Sequence, residues 1–181
     1  MRERLALLKP REVAVRHRGG AFRSAFKSRR CLDPADGFYE WKKLDDGSKQ
    51  PYCICLADRS PFAFAGLWES SKDPDVTSCT IVSTEPNEVA GEIHSRMPVI
   101  LPPEDHEAWL SSETAPANAQ ALLRPYEGAM NAYPVSKDVG TPKNDRPDLI
   151  GDFTSVADVS ADLGGGASPR NNASDRPDSK P

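Results

Sequence analysis

Apolar residues recur along this chain at two spacings, and each spacing predicts one type of element. Phe22, Ala25 and Phe26 stand at i, i+3 and i+4, which predicts a short helix over residues 21–28. In residues 50–57 the larger apolar side chains alternate with cysteines. That period of two predicts a strand with two different faces.

The remaining elements follow from the same patterns and from turn signals. An aromatic-rich strand over residues 37–43 is separated from the strand over residues 50–57 by Asp45-Asp46-Gly47, so the two predict a hairpin. Thr84 is expected to be the N-cap of a helix over residues 86–93. Further strands are expected over residues 62–68, 78–82, 97–101 and 133–135, and further helices over residues 104–110 and 116–123. Mostly consecutive strands with helices added around them predict an α+β fold with a mixed or antiparallel sheet.

Charge and composition change towards the two ends of the chain. Residues 1–30 contain eight Arg and two Lys against two Glu, a local excess of +8, although the whole chain has a net charge of −4. Such a basic leader can bind phosphates or can simply be solvated. Residues 151–181 show no apolar periodicity and combine Gly164-Gly165-Gly166 with polar residues and prolines, which predicts disorder. We therefore divide the chain into a basic leader (1–20), a folded domain (21–150) and a disordered tail (151–181).

The sequence carries no signal for a membrane or for secretion. No apolar run approaches the roughly 20 residues of a membrane span, and Leu5-Ala6-Leu7-Leu8 is too short for a signal peptide. We expect a cytoplasmic protein without a membrane partner, whose four cysteines stay reduced. The alternative to reduced thiols is a zinc site. Cys53-Ile54-Cys55 has too few residues between its two cysteines for the usual spacing of zinc ligands, and the sequence contains no second pair. We therefore expect neither metal nor cofactor.

Two longer motifs carry the candidate chemistry. Residues 29–43 read Arg-Arg-Cys-Leu-Asp-Pro-Ala-Asp-Gly-Phe-Tyr-Glu-Trp-Lys-Lys, and residues 92–101 read Glu-Ile-His-Ser-Arg-Met-Pro-Val-Ile-Leu. With both motifs the chain resembles the SOS response-associated peptidase (SRAP) family, which protects abasic sites in single-stranded DNA by linking to them covalently. The resemblance covers about Ala21 to Ile150. It implies a SRAP-like α+β fold, with a barrel-like mixed or antiparallel sheet and short flanking helices, that lacks the family's N-terminal strands.

Glu40 is the first candidate catalytic residue. It lies between Tyr39 and Trp41 in a predicted strand, and aromatic neighbours that desolvate a carboxylate raise its pKa, which suits proton transfer near neutral pH. The alternative is a strand residue whose carboxylate points into water. The resemblance implies that Glu40 is the catalytic acid/base of the Gly-Phe-Tyr-Glu-Trp motif.

His94 is the second candidate, because imidazole is the side chain that titrates nearest physiological pH. An isolated histidine is more often structural or on the surface, and we expect His17 and His106 to lie on the surface. The match to Ile-His-x-Arg-Met-Pro implies that His94 assists opening of the deoxyribose ring and reversal of the covalent link.

Four further residues are candidates for contacts with DNA. The resemblance places Ser83 near the DNA, although a serine that ends a strand can simply cap a turn. Arg96 suits a phosphate contact, or it can pair with Glu92. Trp41 and Trp68 can stack on unpaired bases, but their positions in strands favour the buried core.

The family's nucleophile is an N-terminal cysteine, which closes a thiazolidine ring with the abasic aldehyde and is exposed by autoproteolysis. Intact members are accordingly described as peptidases (hydrolases) and as abasic-site lyases or crosslinkers. This sequence begins Met1-Arg2-Glu3-Arg4, so we expect the chain as written to be inactive as a crosslinker. Two alternatives stay open: a module that binds single-stranded DNA without a covalent step, and a non-functional remnant. We expect a monomer whose partner is single-stranded DNA containing abasic sites.

Overall fold

The computed structural model of the protein describes residues 22–70 and 76–151. The basic leader and nearly all of the tail lie outside these residues. Nine strands and four α-helices follow one another along the described chain, joined by short turns. The strands are β1 (Arg30–Ala35), β2 (Phe38–Lys43), β3 (Lys49–Leu56), β4 (Phe62–Ser70), β5 (Thr77–Ile81), β6 (Ser83–Thr84), β7 (Met97–Pro98), β8 (Ile100–Leu101) and β9 (Met130–Pro134). The α-helices are α1 (Arg23–Ser28), α2 (Glu88–Gly91), α3 (His106–Leu110) and α4 (Pro116–Ala121).

All strand pairs of the described residues are antiparallel, which confirms the α+β expectation. β4 is the centre of one sheet, where it pairs with β1, β5 and β8. A second sheet has the order β2-β3-β9, and β6 pairs with β7 as a separate ribbon. Within the described residues these are three separate sheets and no closed barrel, because the two larger sheets meet face to face instead of through shared hydrogen bonds.

The interface of the two larger sheets forms a hydrophobic core. The rings of Phe38 and Phe64 meet edge to face with their centroids 5.8 Å apart, and Phe62 and Phe64 meet in the same way at 5.1 Å. Ile54 and Ile100 are buried in the same cluster. Because alternate strand residues share a face, this contact defines an inner face of the β2-β3-β9 sheet.

A second core lies on the opposite face of β4. Ala65 and Leu67 pack there against Trp109, which is fully buried as the helical pattern predicts, and against Phe26 of α1. Residues 62–67 are all buried, because β4 has a core on each side. The outer face of the β2-β3-β9 sheet has its own small cluster, formed by Cys53, Cys55, Tyr133 and Val135.

None of the helices in residues 22–70 and 76–151 combines the length and the apolarity that a bilayer crossing requires. Within the same residues no three His, Cys, Asp or Glu side chains cluster as a metal site would require. The four cysteines are free thiols.

Candidate functional site

Ser83 and Arg96 form the most direct contact among the predicted site residues. The short β6–β7 ribbon pairs Ser83 with Pro98 and so places the start of β7 beside β6. The guanidinium of Arg96 donates from Nε to Ser83 Oγ at 3.1 Å, and from Nη2 to both Ser83 Oγ and Ser83 O at 2.8 Å. Among the described residues Arg96 is therefore bound to Ser83 and forms no ion pair with Glu92.

His94 lies at the end of the same segment, where the backbone leaves α2. Its amide donates to Ala90 O at 2.9 Å, which fixes the residue to the last turn of the helix. The ring Nδ1 lies 3.3 Å from the Arg96 amide nitrogen and 3.2 Å from Arg96 O. A neutral ring can accept from this N–H through Nδ1, and an imidazolium can donate to this carbonyl from the same atom. Both charge states thus find a partner without rotation of the ring.

Glu40 lies on β2, directly opposite Tyr52 of β3. The alternation of strand residues places it on the same face as Phe38, which is the inner face of the sheet. Glu40 is half-buried. Phe38 and Tyr52, its neighbours along and across the sheet, pack against the cluster that also contains Ile93 and Met97.

The structure therefore brings three of the four predicted residues into one connected group and links the fourth through packing. Ser83, His94 and Arg96 are joined by hydrogen bonds within residues 83–96. Glu40 borders the hydrophobic cluster in which Ile93, the residue before His94, is buried. The hydrogen-bonded group is therefore Ser83, His94 and Arg96, and Glu40 lies on the sheet that packs against the same hydrophobic cluster.

The expectation that Trp41 and Trp68 are core residues is wrong. Their exposed fractions are 37 % and 36 %, so neither side chain is buried. Trp68 lies where β4 leaves the core, since residues 62–67 are buried and residues 68–70 are exposed. Trp41 is on the outer face of its sheet, where an added Cβ on Gly140 would lie 3.9 Å from its ring.

Two smaller expectations are also corrected. His106 is half-buried and its Nε2 lies 2.9 Å from Leu101 O, so it is not a free surface histidine. Thr84 does not cap α2; its hydroxyl donates to Leu123 O at 3.4 Å. The cap is Asn87, three residues later, because only its side chain reaches the free N–H of Ala90. His17 lies outside the described residues.

The pKa values of the four cysteine thiols are raised above the ordinary value. Burial, with smaller contributions from Cys79 and Asp33, raises the pKa of the Cys31 thiol to about 11. Burial likewise raises the pKa of Cys53, Cys55 and Cys79. Because the thiolate is the reactive form, these side chains do not stand in for an activated thiol.

Two cavities of about 260 and 540 Å³ lie away from the four predicted residues. They share Ile100, Pro102 and Tyr126, and the larger one extends to His106 and the loop after β3. Neither is lined by Glu40, Ser83, His94 or Arg96.

Comparison with known proteins points to one family. The family model described as "SOS response associated peptidase (SRAP)" matches residues 6–142, so the match begins before Ala21. The abasic site processing protein YoqW of Bacillus subtilis (strain 168) is 47 % identical over 135 residues, which cover 72 % of this chain and 60 % of YoqW. The abasic site processing protein HMCES of Xenopus tropicalis is 31 % identical over 150 residues, or 70 % of this chain and 44 % of HMCES.

A solved structure supports the same relationship at the level of the fold. A protein from Bacteroides thetaiotaomicron superimposes with a TM-score of 0.65 at 29 % identity, over 75 % of this chain and 61 % of that protein. The chain spans about 60 % of the length of the bacterial curated relatives described above.

Proposed function

The chain belongs to the SOS response-associated peptidase family, and from this we propose that it processes abasic sites in DNA. The observation that carries the proposal is the connected group Ser83–His94–Arg96 beside the inner face that holds Glu40. The relatives named as abasic site processing proteins support the same reaction class.

In this proposal Arg96 binds a phosphate of the DNA strand. Two of its guanidinium nitrogens, Nε and Nη2, are bound to Ser83. The guanidinium is thereby held in one orientation, and Nη1, which has no hydrogen bond to the described residues, can donate to an anion, as arginines in phosphate sites do. Ser83 then orients the guanidinium of Arg96, and the Ser83 hydroxyl faces the same DNA strand.

His94 and Glu40 supply proton transfer. Opening of the abasic deoxyribose ring transfers one proton and releases no group. The C1′ hydroxyl loses its proton, the C1′–O4′ bond breaks, and O4′ gains a proton. When Nδ1 accepts from the Arg96 amide, or when the ring is an imidazolium, Nε2 of His94 carries a proton that it can donate to O4′. Glu40 is the acid/base for the aldehyde that results, in the role that its motif implies.

We propose single-stranded DNA as the substrate form, a monomer as the binding unit, and the cytoplasm as the place of action. An unpaired strand is favoured by exposed Trp41 and Trp68, because exposed aromatic rings can stack on bases that a duplex would keep stacked on each other. The same exposed tryptophans support the second candidate function, a module that binds single-stranded DNA without a covalent step.

The deciding experiment compares three single-stranded oligonucleotides: one with an abasic site, one with its tetrahydrofuran analogue, and one undamaged. We expect strand cleavage of the abasic strand alone, seen on a denaturing gel, and no DNA–protein adduct, in line with the expectation that the chain as written is inactive as a crosslinker. Glu40→Gln and His94→Ala should reduce the cleavage, while binding measured by fluorescence anisotropy is retained.

Each of the other outcomes has a definite meaning. Salt-sensitive binding of all three strands with no product would replace the proposal by the non-covalent binding module. Failure to bind any strand would contradict both functions. A product that Glu40→Gln and His94→Ala leave unchanged would contradict the assignment of these two residues.

A further inference from the structure

Asn87 connects the two ends of the segment that carries His94. Its side-chain Oδ1 accepts from the Ala90 amide at 3.0 Å, and its backbone amide donates to Met97 Sδ at 3.2 Å. Ala90 is also the residue whose carbonyl accepts from the His94 amide. One residue thus fixes both the helix before His94 and the strand after it.

The side-chain amide of Asn87 also binds this segment to the sheet that carries Glu40. Nδ2 donates to Tyr126 O at 2.9 Å and to Met130 Sδ at 3.3 Å. Met130 is the first residue of β9 and pairs with Leu56 of β3. β3 in turn pairs with β2, where Tyr52 lies opposite Glu40.

We propose that Asn87 is a positioning residue that fixes His94 relative to Glu40, an inference that rests on the proposed function of these two groups. Its two roles are carried by different atoms: Oδ1 caps the helix, and Nδ2 binds the helix to the sheet. Proton transfer between groups on different elements depends on their relative placement to within about 1 Å, so the second role bears on the reaction.

Asn87→Asp separates these two roles. An aspartate keeps the Oδ1 acceptor and is an equally good N-cap, but it has no N–H to donate to Tyr126 O or Met130 Sδ. Ser136→Ala is the control for loss of a side-chain hydrogen bond elsewhere in the fold, because Ser136 Oγ accepts from the Asp138 amide at 3.2 Å on a turn that carries no site residue. Met130→Leu is a milder second variant that removes the sulfur acceptor and nearly conserves volume.

The first readout is the tautomer of His94, measured by long-range proton–nitrogen correlation NMR without any DNA. We expect one ordered set of ring signals in the wild type, because Nδ1 lies within hydrogen-bond distance of the Arg96 amide and of Arg96 O, and a mixture of tautomers or broadened ring signals in Asn87→Asp. The second readout is processing of abasic single-stranded DNA, expected to fall about tenfold in Asn87→Asp while affinity stays within about twofold. Ser136→Ala should change neither readout.

A His94 spectrum in Asn87→Asp that equals the wild type would overturn the inference, whatever happens to thermal stability. If Asn87→Asp does not fold, Met130→Leu decides in its place: a smaller shift of the same signals supports the tether, and an unchanged spectrum refutes it. If the wild type processes no abasic DNA, the proposed function fails, but the NMR comparison still tests the positioning role.

Discussion

At the scale of single residues, Arg96 differs from the surface arginines in how its guanidinium is used. Nε and Nη2 are bound to Ser83, while an exposed arginine such as Arg124 forms a simple ion pair with Asp105 at 2.9 Å. An oriented, half-buried guanidinium with a free edge is suited to a phosphate.

We therefore predict that Arg96→Ala weakens binding to single-stranded DNA. Loss of one phosphate contact should lower the slope of log K against log salt by about 0.7, with an affinity loss of roughly tenfold at low salt. Ser83→Ala should have a smaller effect in the same direction, because it frees Arg96 without removing its charge. Fluorescence anisotropy titrations over a range of salt concentrations measure both quantities.

Arg124→Ala is the control for general loss of positive charge. It removes the same formal charge from an exposed ion pair outside the group formed by Ser83, His94 and Arg96, so its salt slope should equal that of the wild type. A wild-type slope in Arg96→Ala would show that this arginine does not contact phosphate.

At the scale of elements, the sequence predicted strands and helices most accurately where local signals and tertiary pairing agree. The β2–β3 hairpin follows from alternation and from Asp45-Asp46-Gly47, where Gly47 takes a positive φ of 82°. β1 was not predicted, because its Asp33-Pro34 pair is unfavourable in a strand and only pairing with β4 makes it one. Local patterns also cannot show which face or which end of a strand the rest of the fold covers. For this reason Trp41, on the outer face of its sheet, and Trp68, at the exposed end of β4, were wrongly placed in the core.

The candidate site was predictable for a different reason. The motifs that contain Glu40, His94 and Arg96 are contiguous, so their residues can be identified without knowledge of the fold. The hydrogen bonds of Asn87 to Tyr126 and Met130 span about 40 positions of the sequence. Asparagine is a common residue at N-cap positions, and this preference was the only local signal for Asn87. The preference does not indicate that the Asn87 side chain contacts the sheet.

Arg30 joins α1, β1 and α3, and its removal should strongly destabilise the fold. Its exposed fraction is 6 %, and its guanidinium donates to Phe26 O at 2.7 Å as well as to Lys27 O, Trp109 O and Ser111 O. Arg30→Ala leaves these carbonyls without their donor and opens a cavity, so we expect a loss of about 3 kcal/mol in the free energy of unfolding.

The neighbouring arginine is a matched control. Arg29 is bound to Glu69 at 2.7 Å on the surface, so Arg29→Ala should cost about 1 kcal/mol or less. Urea unfolding of both variants measures the difference. Equal losses would mean that burial of the Arg30 guanidinium does not determine its contribution.

Gly66 in the central strand β4 leaves the space that Cys31 occupies. A Cβ at this position would lie 2.7 Å from Cys31 Sγ and 3.4 Å from Cys31 O. We expect Gly66→Ala to destabilise by about 2 kcal/mol, since the sulfur must move within a packed sheet. In a double-mutant cycle, Cys31→Ala should recover part of this loss, and strictly additive losses would contradict a steric conflict between the two residues.

At the scale of the whole molecule, buried thiols and a phenol should make the fold sensitive to alkaline pH. Burial raises the pKa of Cys31 to about 11 from an ordinary value of 9.0, and that of Tyr133 to about 12 from 10.0. Tyr133 also receives a hydrogen bond from Arg59 and donates to Ile150 O at 2.8 Å. These groups lie in both larger sheets, so their effect belongs to the global unfolding reaction.

Because these pKa values are higher in the folded state, the unfolded chain loses its protons first as the pH rises. The contribution of these groups to stability is therefore complete below about pH 9 and is lost progressively as the pH rises through 11 to 12.

Urea unfolding at about pH 8 and about pH 10.5 should show this decline in the wild type. Tyr133→Phe and Cys31→Ser should each reduce it, although Tyr133→Phe starts from a lower stability because it loses two hydrogen bonds. Leu110→Ala, an exposed and non-titrating change, should leave the decline intact. If both titrating variants decline as steeply as the wild type, the alkaline sensitivity must arise from other groups, and the burial of Cys31 and Tyr133 would have no measurable effect on stability.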